Sequence, residues 1–304
     1  RRPRDDGDAR VIALRTQIEG SLCIPSFLGA IQATIAKNPL LRSTVDINSW
    51  RPRWRLIPNH TPEITVSHFK TENPPDDVPL RRLDLTRTAG AEFELRVSEN
   101  RSLLVSHLHH ACLDGIAAIR FLADIFAEYG QTVVQVPDEG PRVRTLDPEI
   151  LPGRGAIPYR LPEARPPWRY TLEAVMCLLF RKSYRMRGQS PLEDSDASGN
   201  SLHTRVLCHS AVRKLRELAA NTDTTVNDLC MLAFIMELSA WSEDDPKKKP
   251  DDLFRILMPV SMRTPEHDRI AAANVVSYVF LNQHRKDCEN PQALLATIRQ
   301  KTQN

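Results

Sequence analysis

The residues best suited to chemistry lie in one short stretch, Leu103 to Gly115, which reads LLVSHLHHACLDG. Two adjacent histidines, His109 and His110, end an apolar segment typical of a strand, and an Asp-Gly pair precedes a segment with helical apolar spacing. An imidazole titrates near roughly pH 6.5 in model peptides, so a histidine can accept and return a proton close to neutral pH. The stretch therefore indicates general acid–base chemistry at the end of a strand.

The strand pattern separates the histidines from one another. Successive side chains on a strand point to opposite faces, so His107 and His109 share one face while His110 shares the other with Leu108. His110 comes where the strand ends and the backbone changes geometry, which is where a side chain can be directed into a cleft. We predict His110 as a general base and His109 as a mainly structural residue with a minor share in catalysis.

Asp114 and Gly115 stand at the start of the predicted helix. The Asp114 carboxylate can cap backbone N–H groups there, and Gly115 allows a close approach or unusual dihedral angles. A cap alone is the simplest interpretation of Asp114, and a buried, hydrogen-bonded side chain is the ordinary outcome for a histidine in a strand. The Asp-Gly pair in register with the two histidines favours a functional site.

These residues form a pattern that resembles a known motif. The segment 109–115 is similar to the HHxxxDG motif of the acyltransferase superfamily that includes chloramphenicol acetyltransferase, nonribosomal peptide condensation domains, alcohol acetyltransferases and wax-ester/diacylglycerol acyltransferases. Further segments resemble the family in the same order along the chain: Asn38–Arg42, Thr225–Asp228, and Met258–Arg263 with Asn274. The similar segments span most of the chain.

The resemblance implies an α+β fold of two chloramphenicol-acetyltransferase-like mixed-sheet subdomains arranged in a V, with a substrate channel between them. It assigns the second histidine, His110, to deprotonating an alcohol or amine that attacks an acyl thioester. It gives Asp114 a structural role, paired with Arg263. We expect the second subdomain to be incomplete, because a segment like the family's C-terminal DFGWG is not among these residues. Channel-lining residues suggested by the resemblance are Asn227, Asn274 and Ser277.

The chain is predicted to divide at a proline-rich connector. Eight prolines fall between positions 136 and 167, a density that prevents regular structure. We predict an N-terminal subdomain over 10–135, a connector with one helix over 136–200, and a partial C-terminal subdomain over 201–304. Helices are predicted at 26–36, 115–129, 170–186, 211–220, 226–241 and from 291, and strands at 41–47, 54–57, 91–98, 102–109, 202–209, 254–260 and 275–282, with 58–79 irregular.

Composition limits the class of protein. The 304 residues carry a net charge of +3 with both signs interspersed, so nucleic acid is not an expected partner. No run of about 18 apolar residues is present, which argues against an integral membrane protein. The six cysteines form no C-x-x-C pair and lie mostly in apolar segments. We therefore expect reduced, buried thiols and a cytoplasmic location.

The acceptor and donor are less constrained by the sequence. No adjacent carrier or adenylation domain is visible, so the first expectation is a stand-alone O-acyltransferase that moves an acyl group from acyl-CoA, or from an acyl-carrier thioester, to an alcohol, with no bound cofactor. One alternative is amide formation of the nonribosomal peptide condensation type. Another is a catalytically silent scaffold module of the same fold. The last is a metal-dependent hydrolase using His107, His109 and Asp114.

Overall fold

The structure, a computed structural model, describes residues 11–48, 50–71, 74, 81–133, 142–155, 205–243, 245 and 248–303. Its described residues pack into two compact units. The first contains the residues up to 155 together with 261–277, and the second contains 205–260 with 278–303. The domain bounds drawn from composition stay a prediction, but the segment 261–277 packs in the first unit although it comes late in the chain.

A four-stranded sheet organises the first unit. Its strands are β1 (Val11–Glu19), β4 (Glu63–His68), β5 (Ala91–Val97) and β6 (Arg101–His109), and their order is β1-β6-β5-β4. β6 is antiparallel to both neighbours, whereas β4 is parallel to β5. A separate antiparallel pair is formed by β2 (Ser43–Asp46) and β3 (Arg53–Leu56). The sheet is therefore mixed, as the α+β prediction requires.

Two helices of the first unit pack against each other and build its core. These are α1 (Ile24–Ala36) and α2 (Gly115–Val133). Each fully buried Leu, Ile or Phe contributes roughly 1.5–3 kcal/mol, so the core holds the end of β6 and the start of α2 firmly. The largest fully buried side chains of this core are Phe27, Ile31, Ile35, Leu41, Phe93, Leu95, Leu104, Leu108, Leu113, Phe121 and Ile125.

Strand β6 is buried from Ser102 to Leu108, which confirms the prediction of an interior strand. Two strands of the same sheet escaped prediction. β1 pairs with β6 along its whole length, with Val11 opposite His109. β4 lies inside the segment 58–79 that we expected to be irregular, and that expectation is wrong for 63–68. The prolines at 62 and 74 lie outside the strand, and β4 is at the sheet edge, where flanking prolines are tolerated.

The second unit contains α3 (His209–Asn221), α4 (Val226–Trp241), β7 (Leu253–Ser261), β8 (Val276–His284) and α5 (Pro291–Gln303). β7 and β8 form a two-stranded sheet. The last residue of β7, Ser261, and the first two of β8, Val276 and Ser277, belong to the first unit. A small core joins α4, β7, β8 and α5 through Ile235, Phe254, Leu281, Leu294 and Ile298. Helix α4 matches its predicted bounds and starts from a capping box in which Thr225 and Asp228 bond each other's backbone N–H groups.

Several connector predictions fall outside the described residues or need correction. The predicted helix at 170–186 and most of the proline-rich stretch are outside them. Residues 205–208, predicted as strand, have no regular structure, and α3 begins at His209. Pro148–Gly155 forms a 3-10 helix even though Pro152 lies inside it. Among the helices that the structure describes, none combines the length and apolarity needed to cross a membrane.

Candidate active site

His110 lies in a tight turn between β6 and α2. The turn is closed by the Cys112 N–H, which donates to the His109 carbonyl at 2.9 Å, and α2 begins as the Ala118 N–H donates to the Asp114 carbonyl at 2.9 Å. Residues 102–108 are buried in the sheet, whereas His109 and His110 are both only partly buried. A rigid strand and a rigid helix therefore hold a histidine that is partly open to solvent.

Asn274 contacts His110 from a segment 164 residues later in the chain. Its amide Nδ2 donates to the His110 carbonyl oxygen at 3.2 Å and lies 3.5 Å from His110 Nδ1. The Nδ1 edge of the imidazole is therefore against Asn274, and Nε2 is on the other side of the ring. The sequence suggested Asn274 only as a channel residue, whereas the structure places it directly on the histidine.

Asp114 is buried and fully engaged. Oδ1 accepts the Ala117 N–H at 3.0 Å, and Oδ2 accepts the Val275 N–H at 2.8 Å. Arg263 Nη1 lies 2.9 Å from the same Oδ2, and the two side chains are only 2% and 7% exposed. The carboxylate thus caps α2, pairs with Arg263 and fixes a distant backbone group, so its contacts are structural.

The other two histidines of the stretch are held by the sheet and its edge. His107 is 1% exposed. His109 donates its backbone N–H to the Gly90 carbonyl at 2.9 Å, and its Nδ1 accepts the Ala111 N–H at 3.1 Å. These contacts support the turn that carries His110. They agree with a mainly structural role for His109, and general-base catalysis by His110 stays a prediction.

The structure does not support the reasons that the sequence analysis gave for a glycine at position 115. Among the described residues, none has an atom within 4 Å of a Cβ built on Gly115, and its φ is not positive. Neither a close approach nor a left-handed backbone requires glycine there. The close approach is at Gly90 instead, where a Cβ would lie 2.3 Å from the Cys112 sulfur. The backbone immediately before β5 therefore packs directly on the thiol inside the motif.

The remaining predicted site residues, Asn227 and Ser277, make no described contact with His110. Asn227 lies exposed in the first turn of α4, in the second unit, where its Nδ2 contacts the Met258 sulfur at 3.6 Å. Ser277 is exposed on β8, three residues after Asn274. The structure therefore joins His110, Asn274, Asp114 and Arg263 into one group within the first unit.

Comparison with known proteins was made at three levels. No family model matches the sequence, and no curated protein matches it. Solved structures do match over nearly the whole chain. The first condensation domain of the CDA synthetase superposes with a TM-score of 0.69 at 15% identity, covering 97% of this chain and 70% of that one.

The chain has the condensation-domain fold. Polyketide synthase associated protein 5 from Mycobacterium tuberculosis gives a TM-score of 0.63 at 17% identity over 96% of this chain and 68% of that one. The SgcC5 protein from Streptomyces globisporus, in complex with a naphthyl ethanediol and sucrose, gives 0.65 at 11% identity over 97% and 66%. The chain spans about two thirds of the length of these proteins. The resemblance drawn from HHxxxDG is thereby confirmed as a shared fold.

Within this condensation-domain fold, the geometry does not support the metal-dependent alternative. The part of the chain that the structure describes contains no group of three or more His, Cys, Asp or Glu side chains placed to hold a metal ion. His107 is buried, and Asp114 is committed to Arg263 and two backbone N–H groups. The proposed ligand set therefore does not converge on one point.

Sequence reasoning missed a partly buried ion pair of the first unit. Arg144 binds Asp124 through both oxygens, at 2.9 and 2.6 Å, and also donates to the Asp268 carbonyl at 3.3 Å. These contacts attach the segment 261–277 to α2. The available signal was the position of Asp124, which falls on the apolar stripe of α2 seven residues after Ala117 and three after Phe121.

The cysteines only partly follow the prediction of buried thiols. Cys112 is buried, but Cys23, Cys208 and Cys230 are exposed and Cys288 is intermediate, so the prediction is wrong for most of the described thiols. Burial raises the pKa of Cys112 to about 12. Hydrogen bonds from Ser26 and Ser210 lower the pKa values of Cys23 and Cys208 respectively.

Thiol reactivity should follow this division. At pH 8 only about one Cys112 in ten thousand would be thiolate, because the thiolate fraction falls tenfold per pH unit below the pKa. In the folded protein, iodoacetamide at pH 8 should alkylate Cys23 and Cys208 well before Cys112, as read by peptide mass mapping. Equal labelling of Cys112 and Cys23 would contradict the buried, inert position assigned to Cys112 and reopen it as a nucleophile.

Proposed function

We propose that this chain performs condensation-type acyl transfer, in which an amine attacks an acyl thioester and His110 acts as the general base. The observation that carries the proposal is His110 itself: a partly open imidazole at the end of a buried strand, held by Asn274 within a condensation-domain fold. The solved relatives include a condensation domain of a synthetase, which favours amide formation over our first expectation of CoA-dependent O-acylation.

The chemical step balances with one base. The acceptor nitrogen attacks the thioester carbonyl, a new C–N bond forms, and the imidazole takes the proton that the nitrogen loses. The tetrahedral intermediate then collapses, the C–S bond breaks, and the same proton passes to the departing thiolate. The products are an amide and a free thiol, so no oxidant, reductant or bound cofactor is needed. General acid–base catalysis of this kind contributes roughly 10²–10⁴ in rate.

The contact with Asn274 indicates which ring nitrogen of His110 accepts the proton. Nδ1 lies beside the Asn274 amide, so Nε2 is the nitrogen that would meet the acceptor. As a base Nε2 must be unprotonated, which places the ring proton on Nδ1. The Asn274 Nδ2 group can only donate, so with the ring proton on Nδ1 the 3.5 Å contact is not a hydrogen bond, and Nδ2 donates to the His110 carbonyl at 3.2 Å instead.

A hydroxyl acceptor is the second candidate, since one solved relative binds an ethanediol. The same base would remove the hydroxyl proton, and the product would be an ester. The donor in either case is an acyl thioester, on a carrier protein or on coenzyme A, as the family resemblance implies. The position of Asp114 is the same for both acceptors, because its contacts are with the protein.

Thiol release in the full-length protein tests the proposal. Acyl groups would be supplied on a carrier protein and on coenzyme A, each with an amine or an alcohol acceptor, and the free thiol would be followed together with product mass. We expect the carrier-bound donor with the amine to react fastest. If the ester-forming reaction is faster, the assignment changes to O-acylation. If no combination of donor and acceptor reacts faster than a His110→Ala control, the catalytically silent scaffold remains as the interpretation.

A further inference from the structure

The segment 271–275 is held to the rest of the first unit by three side chains that each bond a different backbone group. Asn38 accepts the Ala272 N–H, Arg263 donates to the Ala273 carbonyl, and Asp114 accepts the Val275 N–H. The backbone groups are nearly consecutive, and the one side chain among them that reaches back to the site is Asn274. The segment therefore holds the Asn274 side-chain amide, which contacts His110, in a fixed position.

Asn38 makes the tightest of these contacts. Its Oδ1 accepts the Ala272 N–H at 2.6 Å, and its Nδ2 donates to the Thr34 carbonyl at the end of α1 at 2.7 Å. The side chain is 1% exposed. A carboxamide carries its acceptor and its donor on two separate atoms, so asparagine is suited to joining the helix end to the segment.

We propose that Asn38 is a positioning residue for His110, acting through Ala272 and Asn274. Ala272 is only two residues from Asn274, and its neighbours Ala271 and Ala273 are also buried. Loss of the Asn38 bond would remove one of the three anchors of the backbone that carries the Asn274 amide. The arginine and the aspartate fix the segment at Ala273 and Val275, while Asn38 fixes its N-terminal side.

The proposal rests on the proposed function only for its kinetic consequence. A displaced imidazole costs rate because general-base catalysis depends on the distance between base and acceptor, and misplacement by about 1 Å costs up to about 100-fold. The KM for the donor should change little, since the Asn38 side chain is buried. The structural part of the proposal, the coupling of Asn38 to Asn274, does not depend on turnover.

A double-mutant cycle tests it, with wild type, Asn38→Ala, Asn274→Ala and the double variant. We expect Asn38→Ala to lower kcat by about tenfold with KM within about twofold. The double variant should be no slower than Asn274→Ala alone, because Asn38 acts through that side chain. If the two losses multiply, or if Asn38→Ala leaves kcat unchanged, the proposal is overturned. Asn38→Ser, which also lacks the reach to Ala272, replaces Asn38→Ala should the latter not fold.

A control variant distinguishes the coupling of Asn38 to Asn274 from a general loss of stability. A second measurement distinguishes failure of this proposal from failure of the proposed function. Ser242→Ala removes a side-chain hydrogen bond of another buried residue, to the Ser239 carbonyl in the second unit, and should leave kcat unchanged. The His110 ring resonance, followed by NMR with labelled histidine, should move in Asn38→Ala and in Asn274→Ala but no further in the double variant. If wild type shows no acyl transfer, the proposed function fails while this resonance still decides on Asn38, and an unmoved resonance in Asn38→Ala rejects the coupling.

Discussion

His110→Ala is expected to lower kcat for acyl transfer by roughly 10²–10⁴ while the protein stays folded. The loss follows because no other histidine of the stretch can replace the base: His107 is buried, and His109 Nδ1 is bonded to the Ala111 N–H. Since His110 is only partly buried, its removal leaves no large cavity. Steady-state thiol release gives the rate, and a urea unfolding curve gives the stability.

The neighbouring histidine supplies the matched control. In His109→Asn the side-chain oxygen can still accept the Ala111 N–H, as asparagine does when it bonds the backbone two residues on. We expect this variant to retain most of the activity. Should His110→Ala keep kcat within about threefold of wild type, or should His109→Asn be the more damaging change, the general-base assignment would be wrong.

Asp114→Ala is expected to reduce the free energy of unfolding by about 3–5 kcal/mol, because it leaves the Arg263 guanidinium buried without its counterion. It also removes the acceptor for the Ala117 and Val275 N–H groups. Arg263→Ala should cost less, since Asp114 keeps both backbone partners. The double variant should cost less than the two single losses together, because both singles break the same pair.

An exposed ion pair of the same unit provides the comparison. Arg55 lies 2.7 Å from Asp46, but its side chain is 72% exposed. Water and salt screen such a pair, so Asp46→Ala should change the free energy of unfolding by no more than about 1 kcal/mol. Urea unfolding of all four variants makes the test. An Asp114→Ala loss as small as that of Asp46→Ala would show that the buried pair does not stabilise the unit.

The fold was predictable where local pattern and burial agree. Helix α4 was predicted at its observed bounds because Thr225, a residue type favoured as an N-cap, precedes an apolar run, and the structure adds Asp228 to complete a capping box. Strand β6 was predicted from its continuous apolar character. Strands β1 and β4 were missed because their identity depends on partners far along the chain: β1 needs β6, and β4 needs β5. Pairing of that kind leaves little trace in a local window.

The site was predictable as a motif but not as a geometry. Spacing identified His110, Asp114 and Gly115 together, although it misjudged why glycine stands at 115. The bonds of Asn38 to Ala272 and of Asn274 to His110 join positions more than 160 residues apart. No periodicity records such contacts. An asparagine at a helix end is an ordinary stop signal, and the resemblance of Asn38–Arg42 to the family gave Asn38 no contact with the site.

The discontinuity of the first unit has a consequence for biosynthesis. Its early described residues end at position 155, and it is completed by 261–277, which supply Arg263 and Asn274. At translation rates of roughly 5–20 residues per second, the gap of roughly 120 residues corresponds to about 6–24 s. During that interval the nascent polypeptide carries the histidine pair and Asp114 with no counterion in place. The first unit can therefore complete its native contacts only after residue 277 has been synthesised. A chain truncated before residue 261 would lack both Arg263 and Asn274.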